Sequence, residues 1–307
     1  MIALEGVATY LPEHQVPIDD VGQQLGLSAM QVKVFKRFHG LAEIRRDPES
    51  TLLDLLLASA TRLEALRGRE HQVKYVIYAR AIPVGVPFPA NPLHELCHKL
   101  GLDRAVGFTV TQQACASGLQ ALDVADKLLS GDPDPDALAL LVAGEKTFTA
   151  ESQWLPETSI FGEGSAACLI SRGGSRDRLL SYAARQRGEL DGEHADVAAE
   201  FQRGYHNSIA EIILAAVERA GLVLDDIGLI LPHNVNHVSW QRVCRRIGFP
   251  QAQVVLGNVA RYGHVFCADA FINYETARDR LRPGDRYVIA AAGAGRGATY
   301  SAMVFEH

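Results

Sequence analysis

The chain lacks paired cysteines. Its five (Cys97, Cys115, Cys168, Cys244 and Cys267) are scattered with no CxxC spacing, which excludes a disulfide framework and a zinc ribbon and points to a reducing cytoplasm. It also lacks a run of about 18 apolar residues, and Met1 to Gly6 shows no basic segment leading into an apolar one. No membrane span and no secretion signal are therefore expected. Nor is there a surplus of basic charge: the formal net charge is −6, so neither a nucleic-acid backbone nor an anionic membrane surface is an expected partner. The densest basic groups, Arg45-Arg46 and Arg242 with Arg245-Arg246, read as solvated faces.

The 307 residues are 48% hydrophobic and 21% charged, enough for one large soluble domain or two fused units. Apolar bursts of strand length occur at 75–79, 107–110, 138–143, 166–171, 227–231, 253–256, 287–292 and 302–305. Between them, helical periodicity runs over 51–66, 116–129, 208–220, 240–248 and 269–281. The alternation defines an α/β protein. The order of elements before residue 150 is similar to that after 205, so a duplicated unit is expected, with an N-terminal half over 1–170 and a C-terminal half over 171–307. Residues 173–204, rich in Gly, Arg, Asp and Glu, read as an exposed connection between them.

Chemistry is suggested first at Cys115. In Val110-Thr111-Gln112-Gln113-Ala114-Cys115-Ala116-Ser117-Gly118 a β-branched run stops and a helical pattern begins, which places a thiol at a helix start among small neighbours. The partial positive charge there favours the nucleophilic thiolate. His233 follows an apolar strand in Leu231-Pro232-His233-Asn234-Val235-Asn236-His237, and His264 lies in Arg261-Tyr262-Gly263-His264-Val265-Phe266 before a helix. Two imidazoles on successive loops of one sheet can converge on a point. His233 and His237 are four apart, but Pro232 and two Asn residues make the segment a loop, and no Glu follows His233, so no metal site is expected. Gly293-Ala294-Gly295-Arg296-Gly297-Ala298 follows a strand but leaves too little chain for a dinucleotide-binding unit. A Gly cluster between two antiparallel strands instead suits an oxyanion hole. In Phe161-Gly162-Glu163-Gly164-Ser165-Ala166 a tight turn is expected, with Glu163 capping backbone donors.

Taken in order, these segments resemble the thiolase-fold condensing enzymes, specifically the ketoacyl-ACP synthase III branch. Gly6-Val7-Ala8-Thr9-Tyr10-Leu11-Pro12-Glu13 is similar to that family's opening, Ala114-Cys115-Ala116-Ser117-Gly118 to its nucleophile motif and Phe161 to Ala166 to its FGDGAGA turn. His233-Asn234-Val235-Asn236 is similar to its HQAN loop, and Gly295-Arg296-Gly297-Ala298-Thr299 falls where its terminal Gly loop is expected. The resemblance implies a five-layered αβαβα fold of two similar halves, usually a homodimer. It also implies a ping-pong reaction needing no cofactor, with a thioester of acyl carrier protein or CoA as acyl donor. Cys115 would carry the acyl group, held by the backbone N–H groups of Cys115 and Arg296, with Gly295, Gly297, Asn236 and Asp269 in support and Phe88 and Phe266 lining the acyl tunnel.

Two departures qualify that expectation. Where the family has its third catalytic residue, an Asn, this chain has His264, giving Cys-His-His. Two imidazoles can still stabilise the enolate of a decarboxylating malonyl thioester. Alternatively His233, oriented by His264 or Asp269, could deprotonate an alcohol or amine, making an ester- or amide-forming acyltransferase of the same fold. A structural partner subunit is a third reading, against which Cys115 and His233 speak. Secondly, the Trp that stacks on the CoA adenine is replaced by Val34, beside Phe35. Stacking of that kind is worth roughly 1–3 kcal/mol, so a carrier-protein thioester is favoured over free CoA.

Overall fold

The coordinates are a computed structural model in which residues 84, 88, 191–193 and 296 are not described; the side chains at 151, 190, 194–199 and 295 are likewise left aside. Phe88 and Arg296 therefore lie outside the described residues.

Nine strands form one sheet. They are β1 (Ile2–Tyr10), β2 (Val73–Ala79), β3 (Val106–Val110), β4 (Leu138–Glu145), β5 (Gly164–Arg172), β6 (Arg178–Arg187), β7 (Ile227–Pro232), β8 (Arg286–Gly295) and β9 (Gly297–Glu306). Their spatial order is β7-β8-β9-β6-β1-β5-β4-β2-β3. The sheet is really two, hinged at a single antiparallel bridge between Ala3 of β1 and Arg178 of β6. Outward from that hinge the first half runs β1, β5, β4, β2, β3 and the second runs β6, β9, β8, β7. Each half thus places its strands in the same sequence-to-space order, with the last position of the second half reduced to one bridge, Ile230 to Val254. β5 continues to Arg172, past the boundary expected at 170.

The helices that position the site are α1 (Leu52–Ala60), α2 (Pro92–Lys99), α3 (Ser117–Gly131), α4 (His194–Arg219), α5 (His237–Ile247) and α6 (Asp269–Ala277). Burial sorts them into layers. On β4, Leu141 and Ala143 face one way, into a core shared with Leu122 of α3 and Phe271 of α6, and Leu140 and Val142 face the other, toward Leu56 of α1 and Leu96 of α2. On β8, Ile289 joins the α3–α6 core, whereas Val288 and Ala290 pack with Ile213 of α4 and Trp240 of α5. The order is therefore helix, sheet, helix, sheet, helix: the αβαβα arrangement, with α3 and α6 in the middle layer. Gly118 permits the closest approach there, since a Cβ on it would lie 3.1 Å from the Cys267 carbonyl oxygen.

Several segments differ from expectation. β1 is not among the apolar bursts, and the helix expected over 269–281 ends at Ala277. Residues 253–256 form no strand: a 3-10 turn at Gln251–Gln253 brings the chain in from Pro250, and it leaves at Gly257 after one rung. The connection read over 173–204 contains β6 and the start of α4; Leu179, Ser181 and Ala183 are buried alternately, but the intervening residues and the Arg-rich end hide the period. The helix expected at 208–220 begins as far back as His194. The helix expected over 51–66 stops at Ala60, and the chain re-forms a 3-10 turn at Glu64–Leu66.

Candidate active site

Cys115 stands in a 3-10 turn, Ala114–Ala116, that leads directly into the N-terminus of α3. The loop before it is held in unfavourable backbone conformations, with φ of 70° at Gln112 and 45° at Ala114, both unusual for residues with a Cβ. Such strain is sustained only where the surroundings enforce it. Here the β8–β9 hairpin does so: a Cβ on Gly293 would lie 2.0 Å from the Gln113 carbonyl oxygen, and Thr299 Oγ1 donates to Gln113 Oε1 at 2.6 Å. The Gly cluster is thus the surface against which the nucleophile loop is pressed. Gly295 and Gly297 pair across the hairpin end, and Gly297 has a φ of 79°.

His264 arrives from the second half. Its Nε2 lies 3.2 Å from Cys115 Sγ. The ring's other nitrogen, Nδ1, is hydrogen-bonded to Oδ2 of buried Asp269, the first residue of α6. The same carboxylate accepts the backbone N–H of Asn234 at 2.5 Å and of Val265 at 2.6 Å. Burial opposes charge on the ring most strongly, but Asp269 and Cys115 together outweigh it and raise His264 to about 10. The imidazole is therefore a cation at neutral pH, next to the sulfur.

The backbone of His264 is fixed by the Phe161 turn. Gly162 N–H donates to the His264 carbonyl at 3.0 Å and His264 N–H to the Ile160 carbonyl at 3.0 Å. A Cβ on Gly162 would lie 2.2 Å from the Tyr262 carbonyl oxygen, so only glycine allows this approach. Glu163 caps as expected, accepting the N–H groups of Thr147 at 3.1 Å and Asp47 at 3.0 Å. It also holds a buried ion pair with Lys146 at 2.7 Å. Phe266, with a φ of 49°, is buried in a stack on Phe161 with ring centroids 4.4 Å apart.

His233 directly follows β7, and its ring centroid lies 5.7 Å from that of His264. Trp240 Nε1 donates to the His233 carbonyl at 2.9 Å. Burial, and next the neighbouring His264, push the ring down to about 3, so it is neutral. Asp269 orients His264 and not His233: its carboxylate sits on the His264 ring, and toward the His233 loop it reaches only the Asn234 backbone. The partner of His233 Nε2 is instead the Tyr205 hydroxyl, at 2.8 Å. Tyr205 was not legible as a site residue because it falls between the stretch read as a connection, 173–204, and the helix expected from 208. The signal available was Phe201 and Tyr205, four apart on one helical face. Asn236 caps α5 through Ser239 N–H at 2.7 Å and donates to the Thr158 carbonyl at 2.9 Å.

A cavity of about 500 Å³ opens over this region, with Met30, Val34, Arg242, Phe201, Tyr205 and Asn236 in its wall. Among the described residues, no cluster of three or more metal-ligating side chains occurs, and no helix is long and apolar enough to cross a membrane.

A cysteine at a helix start on one half, facing an Asp-held imidazole from the other across a five-layered duplicated sheet, is the arrangement of a thiolase-fold protein. Comparison narrows the class. Residues 217–307 match the family described as 3-oxoacyl-[acyl-carrier-protein (ACP)] synthase III C terminal. A β-ketoacyl-[acyl-carrier-protein] synthase III of Rhizorhabdus wittichii is 28% identical over 263 residues, covering 78% of this chain and 79% of that protein. Among solved structures, the 3-oxoacyl-[acyl-carrier-protein] synthase III of Aquifex aeolicus superposes with a TM-score of 0.84 at 21% identity, covering 100% of both chains. The acyltransferase ChlB3 superposes with a TM-score of 0.85 at 20% identity, covering 99% of this chain and 97% of that one. The chain therefore has the thiolase fold, and it is similar in sequence to β-ketoacyl-[acyl-carrier-protein] synthases III.

Proposed function

We propose that the protein is a thioester-dependent acyltransferase that works through an acyl-Cys115 intermediate. The observation that carries this is the 3.2 Å contact between Cys115 Sγ and His264 Nε2, with Asp269 on the far side of the ring. The protonated ring lies beside the sulfur and the start of a 15-residue helix lies beneath it, so both present positive charge to the attacking atom. Sγ adds to the thioester carbonyl, the donor thiolate leaves with a proton, and the acyl group stays on the sulfur. In the second step a malonyl thioester loses CO₂, and its enolate carbon attacks the acyl-Cys115 carbonyl, forming a carbon–carbon bond and freeing the thiol. No cofactor is required.

The Asp269–His264 pairing supports a second reading. Once Cys115 is acylated it no longer charges the ring, and an Asp-oriented imidazole is suited to take a proton from an alcohol or amine, giving an ester or amide. Release of CO₂ from malonyl-carrier protein separates the two, because only condensation requires it.

An acyl carrier protein is the proposed donor, supported by Val34, an aliphatic residue, on the cavity wall where an adenine would stack. A homodimer is supported by β3, the edge strand with no outer partner among the described residues and a mostly exposed Val106. Five free cysteines suit a reducing cytoplasm. The test of the central claim is intact-protein mass after incubation with an acyl thioester. The wild type gains the acyl mass and Cys115→Ala does not; an equal adduct on Cys115→Ala refutes it.

A further inference from the structure

Among the described residues, the Tyr205 hydroxyl hydrogen has no acceptor. The residue projects from α4, is buried, and lies on the wall of the 500 Å³ cavity. Its oxygen is 2.8 Å from His233 Nε2. Which of the two donates is decided on the far side of the imidazole. The Ala292 backbone N–H points at Nδ1 from 3.2 Å, so Nδ1 must be an acceptor. The Ala290 carbonyl lies farther off, 3.4 Å from Nδ1, and accepts the His233 backbone N–H at 3.0 Å, whereas the Ala292 N–H can only donate. A neutral imidazole with Nδ1 accepting carries its proton on Nε2. Nε2–H therefore donates to the phenol oxygen, and the phenol must direct its own hydrogen elsewhere. Among the described residues, His233 is the one polar partner recorded for that hydroxyl. Burial first, then Tyr300, Cys115 and Asp269, raise the phenol well above its ordinary value, so the hydrogen is not lost to solvent. A buried, polarised donor without an acceptor among the described residues, in the wall of a cavity and bonded to His233, whose ring neighbours that of His264, is a group awaiting a ligand oxygen.

We propose that Tyr205 is a catalytic residue of the second half-reaction: its O–H donates to an oxygen of the second substrate, and His233 acts through it as a positioning residue. The hydrogen stays on Tyr205 throughout, so no bond is made or broken at the phenol; the hydroxyl stabilises negative charge that develops on the substrate oxygen. Donation from His233 Nε2–H to the phenol oxygen strengthens that donor. The inference rests on the acyl-Cys115 chemistry proposed above and adds to it the group that meets the second substrate. The competing role is steric, with the ring merely closing the cavity floor.

Tyr205→Phe keeps the ring and removes the hydroxyl, which separates the two. Octanoyl-thioester supplies the first step, read as adduct mass on Cys115, and malonyl-carrier protein the second, read as CO₂ release. The expected result is acylation within about twofold of wild type, while kcat of the second step falls roughly 100-fold with little change in KM, the loss typical of one oxyanion donor. Second-step turnover equal to wild type, or an equal loss in both steps, overturns the proposal. Nitrogen NMR of the imidazoles provides a readout independent of turnover: in wild type the His233 proton is on Nε2, and its signal moves in Tyr205→Phe. Should wild type form no adduct, the acyl-Cys115 reading fails instead; should it form the adduct but release no CO₂, the condensing reading fails and the ester- or amide-forming one stands; in both cases the NMR result judges Tyr205 separately. A proton found on Nδ1 overturns the assignment.

Discussion

Replacing Asp269 by Asn preserves the side chain's shape and removes its charge. In the native site Oδ2 takes the His264 ring and the Asn234 N–H at 2.5 Å, and Oδ1 takes the Val265 N–H at 2.6 Å. An amide has one accepting oxygen and an NH₂ group that only donates. With its oxygen toward His264 and Asn234, the NH₂ faces the Val265 N–H; turned over, it faces two donors. The smaller loss leaves one buried backbone donor unmet, about 1–3 kcal/mol of stability. The effect on chemistry is larger in kind. His264 reaches about 10 only because Asp269 and Cys115 overcome the burial that pulls it down. Without Asp269 burial dominates and the ring turns neutral near pH 7. The sulfur then loses a cation at 3.2 Å, and a loss of about 1.4–2.7 kcal/mol corresponds to a 10- to 100-fold slower reaction. The assay is nitrogen NMR of the His264 ring against pH, together with the rate of Cys115 alkylation by iodoacetamide at pH 7, with modification located by peptide mass. In wild type the ring carries both protons across the neutral range and loses one as pH rises toward about 10. In Asp269→Asn the ring is neutral at pH 7, and alkylation there is about 10- to 100-fold slower. A doubly protonated ring at pH 7 in Asp269→Asn, or an equal alkylation rate, would refute the claim that Asp269 sets the charge of the His264 ring.

Gly293→Ala places a Cβ 2.0 Å from the Gln113 carbonyl oxygen, backbone against backbone, so the loop carrying Cys115 must move; acyl-adduct formation should nearly vanish while the circular dichroism stays native. Gly131→Ala, which meets nothing within 4 Å at the end of α3, is the control and should bind the acyl group like wild type. Lys146→Met strands the buried Glu163 carboxylate, and the expected cost is about 3–5 kcal/mol in urea unfolding. Lys146→Met with Glu163→Gln should cost less than the single change, and a single-variant loss under about 1 kcal/mol would remove the ion pair from the account of how the Phe161 turn is held.

Cys115, His233 and His264 were legible because each sits where periodicity changes, at a strand end or helix start, and those positions are visible in a single sequence. The duplicated order of strands was legible for the same reason, being a matter of alternating apolar bursts. What could not be read was pairing across the halves. Asp269 is five residues from His264, and the sequence allowed it to orient either imidazole; only the turn at Phe266–Ala268 decides that it holds His264. β6 escaped because its buried positions, Leu179, Ser181 and Ala183, include a serine and a small residue that dilute the apolar signal. Tyr205 escaped because a tyrosine inside a helix gives no sign of what its hydroxyl meets. Phe266, by contrast, was visible as an aromatic residue near His264, yet nothing in its spacing indicated the stack it makes on Phe161.

The interlock of the Phe161 turn with the segment after Tyr262 makes the two halves depend on each other. Gly162 and Ile160 belong to the first half and grip the backbone of His264, which belongs to the second. The sulfur and the ring that meets it come from different halves, so loosening the seam between the halves separates them even where each half keeps its own core.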